Sequence, residues 1–327
     1  MCDGKSGKVV SWNFRYGGKE SGKMKEERFA YLSADGKTTI HGVFWIPDST
    51  ALAVLQISHG MTEYAQRYRD LAEFFTKHGY IVAVNDVIGH GESVIPGEEP
   101  MHMEKWEHAV KDCETCRKKM KALYPQLPYY MMGFSLGSFI LQSYQVDYPN
   151  TADALIFAGT GRIPSVQLKI AKRFVRHVAK KAGINRTDPR IHELSFGTYN
   201  KHFASEKGEF SWLYTNKSCM KAYTKDKNRG NDMTCGFFYQ FLSGMEYVNQ
   251  HRKSLKIGVP VLLISGLQDP VGNFGKGVKK LYRQYKKMGI QVNLKLISGY
   301  RHDIFHDACK KKVQKYILHW LPKENVF

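Results

Sequence analysis

Long apolar runs are missing from this sequence: nowhere do about 18 consecutive residues stay hydrophobic, and the greasiest stretches, Ala51–Ile57 and Tyr80–Val84, are strand-sized. No transmembrane helix is expected. Residues Met1 to Lys8 lack an apolar core of the kind a secretory signal carries, so the chain is expected to be cytoplasmic. Cysteine is scarce, with six among 327 residues at scattered positions, which excludes a disulfide scaffold and makes reduced thiols the default. Acidic residues are also in deficit. Thirty Asp and Glu against 49 Lys and Arg leave a formal charge of +19. That excess permits an anionic partner, but the lysine pairs at 118–119, 180–181, 279–280 and 286–287 and the triplet at 310–312 fall in helix-like segments, where they form solvated faces. No nucleic-acid recognition motif accompanies them, and no nucleic acid is expected as partner.

What is present is globular: 43% of the residues are apolar. From Glu27 to Pro47 the pattern alternates around Asp35-Gly36 and predicts an antiparallel hairpin. Buried-strand runs then alternate with helical spacing: strands at 51–57, 80–85, 129–134, 154–158, 260–265 and 291–297, and helices at 66–78, 105–123, 136–148, 275–288 and 306–320. This alternation predicts a mostly parallel, doubly wound α/β sheet with right-handed crossovers. One stretch, Arg162 to Arg252, breaks the pattern. It holds a basic amphipathic helix at 166–181 and many aromatics but no buried-strand run, and it is expected to be an inserted, mainly helical cap. The division is therefore 1–26 as a Gly- and Lys-rich, flexible extension, 27–161 with 253–327 as the core, and 162–252 as the cap.

Gly133-Phe134-Ser135-Leu136-Gly137 matches G-x-S-x-G between a strand and a helix. Alone the motif is weak. In that context the glycines permit a tight turn that lifts the hydroxyl above the sheet, and the helix amino terminus favours developing negative charge. A serine hydroxyl needs a base, and the base needs an orienting anion. With chain order serine, acid, histidine, the positions after the last two strands give Asp269 and His302. Rivals exist in Asp86, Asp226 and Asp232 for the acid, and in Asp303 and His306 beside His302. Position selects, and His306 is expected to open the closing helix with its ring toward solvent. Two donors must hold the oxyanion of acyl transfer. Leu136 N–H is one; Met61 N–H, in the turn after 51–57, is the other, with His59 and Gly60 supporting that turn and Gly133 and Gly137 shaping the nucleophile's.

The Cys113-x-x-Cys116 pair, with His102 and Glu104 upstream, matches the spacing of a zinc deaminase poorly, and cysteines on successive helical turns are the simpler reading. No cofactor and no metal are expected.

Together, the stretch from His59 to Tyr68, Asn85 to Ser93, Gly133 to Gly137, Asp269 and Gly299 to His302 resemble the monoacylglycerol lipase and lysophospholipase branch of the α/β-hydrolase superfamily. The resemblance spans about 27–320. It implies Ser135 as nucleophile, His302 as base, Asp269 as orienting acid, and Met61 with Leu136 as oxyanion donors. Two positions depart from the group: Ile88 stands where it usually has arginine, and Phe134 where histidine is more frequent. The substrate expected is a small-molecule or lipid-like monoester, monoacylglycerol or lysophospholipid. A general carboxylesterase on the same residues and a catalytically silent ligand-binding protein are the alternatives. Lys172, Arg173, Arg176 and Lys180 could meet an anionic membrane surface, with Ile170 and Phe174 facing inward, or simply be solvated.

Overall fold

The computed structural model describes residues 24–206 and 208–322. Most of the expected extension, residues 1–23, lies outside the described residues. The chain builds one eight-stranded sheet in the order β1-β2-β4-β3-β5-β6-β7-β8. The strands are β1 (Met24–Leu32), β2 (Thr39–Pro47), β3 (Ala53–Ser58), β4 (Tyr80–Asn85), β5 (Tyr129–Phe134), β6 (Ala154–Ala158), β7 (Val261–Gly266) and β8 (Val292–Ile297). β1 and β2 form the hairpin, β2 joins β4 antiparallel, and every later pairing is parallel. Strands β3 to β7 are buried along their whole length, as unbroken apolar runs demand when helices cover both faces.

The helices are α1 (Arg69–Thr76), α2 (Trp106–Leu123), α3 (Leu136–Asp147), α4 (Ser165–Ala182), α5 (Pro189–His192), α6 (Thr198–Asn200), α7 (Lys217–Lys225), α8 (Cys235–His251), α9 (Lys276–Lys287) and α10 (Lys310–Trp320). Cys113 and Cys116 sit one turn apart on α2, buried in the core. Among the described residues, the segment between β6 and β7 adds five of these helices and no strand to the sheet. No described helix is long and apolar enough to cross a membrane.

The order of strands fixes where a site can form. From β3 the chain steps outward to β4, then crosses back over β3 to β5 and proceeds the other way. The crevice at the carboxyl ends of β3 and β5 is thus the switch point of the sheet, where ligands bind in open α/β folds.

One boundary differs from expectation. The closing helix begins at Lys310, not His306, because residues 303–309 are held in turns by a buried polar network. His306 Nδ1 lies 2.9 Å from Asp303 Oδ1, and Nε2 lies 3.2 Å from the Arg67 carbonyl oxygen. Its ring points into the protein rather than to solvent.

Candidate active site

β5 ends at Phe134, and α3 begins at Leu136, leaving one residue for the turn. Ser135 takes φ +50° and ψ −115°, a conformation that costs a side-chain-bearing residue about 1–3 kcal/mol. The flanking glycines make it possible. A Cβ on Gly133 would lie 2.3 Å from the Gly137 carbonyl oxygen, and one on Gly137 would lie 1.9 Å from that of Ser58. Serine at a helix N-cap ordinarily turns its hydroxyl onto the helix's own N–H groups. Ser135 does not. Its Oγ instead lies 2.8 Å from His302 Nε2.

His302 follows β8 and Asp269 follows β7, so neighbouring strands deliver both to the rim where Ser135 stands. His302 Nδ1 is 2.9 Å from Asp269 Oδ2, ion-pair distance but not in line for a straight hydrogen bond. Both side chains are buried. Asp269 is itself fixed: the Ser265 hydroxyl donates to Oδ2 at 2.8 Å and the Val271 N–H to Oδ1 at 2.9 Å. The rival acids are engaged elsewhere. Asp86 accepts from the Ala65 and Glu92 N–H groups, Asp226 from the Tyr64 hydroxyl, and Asp232 meets His192.

The turn after β3 carries Met61. His59 Nδ1 donates to the Gly60 carbonyl oxygen at 2.8 Å, and its Nε2 accepts from Val87 N–H at 2.8 Å, which fixes one tautomer. Glu63 Oε2 accepts the Gly60 N–H, and the Gly137 N–H donates to the His59 carbonyl oxygen, tying this turn to the first turn of α3. Among the described residues the Met61 and Leu136 N–H groups have no backbone acceptor. A helix's first N–H has none within the helix, and it is free for a substrate oxygen.

Several participants were not singled out from the sequence. The imidazole of His302 lies between two rings, Phe134 at 5.0 Å and Trp212 at 5.2 Å between centroids, both within about 33° of parallel. Trp212 comes from the β6–β7 segment, where no residue pattern marks it among the many aromatics there. Beside His302, Arg301 and Asp303 are charged, yet both are buried. Arg301 Nη1 donates to the carbonyl oxygens of Ser211 and Tyr214, at 2.6 and 2.9 Å. Asp303 takes the Tyr214 hydroxyl and Arg67 Nη2, and its N–H donates to the Leu213 carbonyl oxygen. Burial pushes the Asp303 carboxyl up, but His306, Arg67 and Tyr214 outweigh it and hold it far below the usual range. Asp303, Glu63 and His306 could geometrically surround a metal ion, but Arg67 already supplies the cation there, with Nε 3.0 Å from Glu63 Oε1.

Above Ser135 opens a cavity of about 1150 Å³, lined on one side by Phe139, Leu168, Phe238, Phe241 and Met245. Ile170 and Phe174 also line it, and they remain 66% and 40% exposed. The basic residues of α4 divide. Lys172 pairs with Glu246 at 2.6 Å and Arg176 donates to the Tyr239 hydroxyl, both on α8, whereas Arg173 and Lys180 are exposed.

Comparison with known proteins agrees with this architecture. A curated "monoglyceride lipase homolog" of Monkeypox virus is 25% identical over 289 residues, covering 86% of this chain and 94% of that protein. A monoacylglycerol lipase of Mycolicibacterium smegmatis is 31% identical over 130 residues, 40% of this chain and 45% of that one. Among solved structures, a thermostable carboxyl esterase from Bacillus coagulans in complex with glycerol superposes with a TM-score of 0.83 at 24% identity. It covers 91% of this chain and 98% of its own. The model of the serine aminopeptidase, S33, family matches residues 49–308. The chain is a hydrolase of the α/β-hydrolase fold and belongs to the serine aminopeptidase S33 family.

Proposed function

We propose that this hydrolase is a serine carboxylic-ester hydrolase that acts on lipid-like monoesters, monoacylglycerol or lysophospholipid, through an acyl-enzyme. The observation that carries this reading is the 2.8 Å contact between Ser135 Oγ and His302 Nε2 at the floor of an apolar cavity. Ser135 Oγ attacks the ester carbonyl carbon as His302 Nε2 takes its proton, and Asp269 favours the imidazolium that forms. The carbonyl oxygen becomes an oxyanion facing the Met61 and Leu136 N–H groups. Collapse of the tetrahedral adduct breaks the ester C–O bond, and the alcohol leaves with the proton from His302. Water, deprotonated by the same imidazole, then attacks the acyl-enzyme and releases the acid and free Ser135.

The cavity supports the substrate class. Its α4–α8 side is apolar and suits an acyl chain. Next to Met61 the groups are polar: the Thr62 and Tyr223 hydroxyls lie 2.6 Å apart, and the Arg229 guanidinium lies 5.3 Å from the Tyr223 ring centre. A polar head group fits that side. Residues 162–252 act as a cap in this reading. Val166, Ile170 and Phe174, exposed on α4 beside Arg173 and Lys180, favour peripheral contact with an anionic membrane surface. The free thiols suit a cytoplasmic location.

Ser135→Ala is expected to abolish fluorophosphonate labelling and turnover of p-nitrophenyl esters while the unfolding midpoint does not fall. Labelling that survives the substitution refutes the assignment. A panel of monoacylglycerols, lysophospholipids and p-nitrophenyl esters of graded chain length distinguishes the lipid reading from a short-chain esterase. The lipid reading fails if activity peaks at acetate or butyrate esters.

A further inference from the structure

The two residues that bracket the β6–β7 segment, Arg162 and Arg252, present chemistry that ester hydrolysis does not use. Arg252 is only 4% exposed. Its guanidinium reaches two neutral oxygens: Nη1 donates to Gln142 Oε1 at 3.3 Å and Nη2 to Asn249 Oδ1 at 3.1 Å. Its Nε is buried without a partner, and so is that of Arg162. Among the described residues neither arginine forms an ion pair. The Asn249 side chain joins them: its Oδ1 accepts from Arg252, and its Nδ2 donates at 2.8 Å to the carbonyl oxygen of Ile163, the neighbour of Arg162.

The surroundings add donors rather than negative charge. Tyr285 on α9 is fully buried, and its hydroxyl, within electrostatic reach of Arg252, has no partner. Burial raises its pKa, so it does not serve as a phenolate counter-ion. Gln145 is three residues beyond Gln142 on α3 and so shares its face of the helix; it is 1% exposed with both amide atoms unpartnered. Arginine stays charged inside proteins, and a buried charge without a counter-charge is strongly unfavourable. Water can satisfy hydrogen bonds here but cannot neutralise two cations.

We propose that Arg162 and Arg252, together with Tyr285 and Gln145, bind one small oxyanion of the phosphate class where the β6–β7 segment leaves and rejoins the sheet. Arg162 is only partly buried, and it provides the approach from solvent. The anion clamps both ends of the segment to α3 and α9. This site is independent of the triad and of the ester-hydrolase reading.

The test uses the full chain in phosphate-free buffer. Thermal unfolding is followed against inorganic phosphate, with sodium chloride and sodium acetate titrated separately at matched ionic strength. The expected result is a saturable rise in midpoint with phosphate only, its half-saturation moved by at least about tenfold, or abolished, in Arg252→Gln. Arg162→Gln, partly exposed, repeats the test should Arg252→Gln fail to fold. Equilibrium dialysis of the unaltered protein with labelled phosphate is expected to saturate at one phosphate per chain. An equal response to chloride, a response to acetate alone, an unchanged response in the arginine variants, or dialysis without saturation each overturns the proposal.

Discussion

Within the β6–β7 segment, Phe210–Asn216 and α4 both border the cavity, yet they are held in opposite ways. The first is stitched to the turn that carries His302. Arg301 holds its carbonyl oxygens, Asp303 holds Tyr214 and Leu213, and Asp307 Oδ2 accepts the Thr215 N–H and hydroxyl at 2.7 Å each. α4 rests on α8 through Leu168, Val175, Val178 and the Lys172–Glu246 pair, and leaves Val166 69% exposed. Opening the cavity at 210–216 would break buried ionic contacts and pull Trp212 off the histidine. At α4 the hold is mainly apolar packing. The segment therefore braces the histidine's ring through 210–216, while α4 is held by different forces.

The largest effect is expected from breaking the brace at its charge. Asp303→Asn leaves Arg67 buried with less compensation and should cost about 3 kcal/mol or more, read from denaturant unfolding. The pH dependence has a definite sign. The folded-state carboxyl lies below its unfolded value, so the stability it provides is fully present above about pH 4 and is lost as pH falls further. The penalty of the variant should therefore be greatest at neutral pH and shrink in acid; a penalty that stays constant to pH 3 would locate the effect elsewhere.

Trp212→Ala should act on the reaction more than on the fold. A base displaced by about 1 Å can cost on the order of 100-fold in rate. The loss should fall on kcat for a short ester, and Trp212→Phe, which keeps a ring on the imidazole, should restore most of it. A change confined to KM would make Trp212 a substrate contact instead of a brace. The smallest effect is expected on α4. Val166→Glu should alter stability by no more than about 0.5 kcal/mol and leave turnover of a soluble ester unchanged. Its activity on substrate carried in anionic vesicles should fall, since the charge replaces an apolar contact with the surface.

The sheet was legible because buried parallel strands leave unbroken apolar runs such as Val82–Val84 and Leu262–Ile264, and because Gly133, Gly137 and Ser135 occur in the only arrangement that lets a strand turn so tightly into a helix. Asp269 and His302 were legible from their places after β7 and β8. Trp212, Ser265 and the Arg67–Asp303 network were not. Their roles depend on which distant residues the fold brings together, and nothing in local periodicity encodes that pairing. The same reason explains the misplaced start of α10: His306 is drawn into turns by Asp303 and Glu63, and the residues after it, Asp307 and Cys309, are weak helix formers. On α4, the amphipathic pattern identified the helix.

The left-handed backbone at residue 135 has a consequence for how the protein can change. Glycine occupies that region of conformational space without penalty, so replacement of Ser135 by glycine would relax the turn and firm up the fold while removing the proposed nucleophile. At this position durability and usefulness pull in opposite directions. The serine persists where the polypeptide alone would favour no side chain at all.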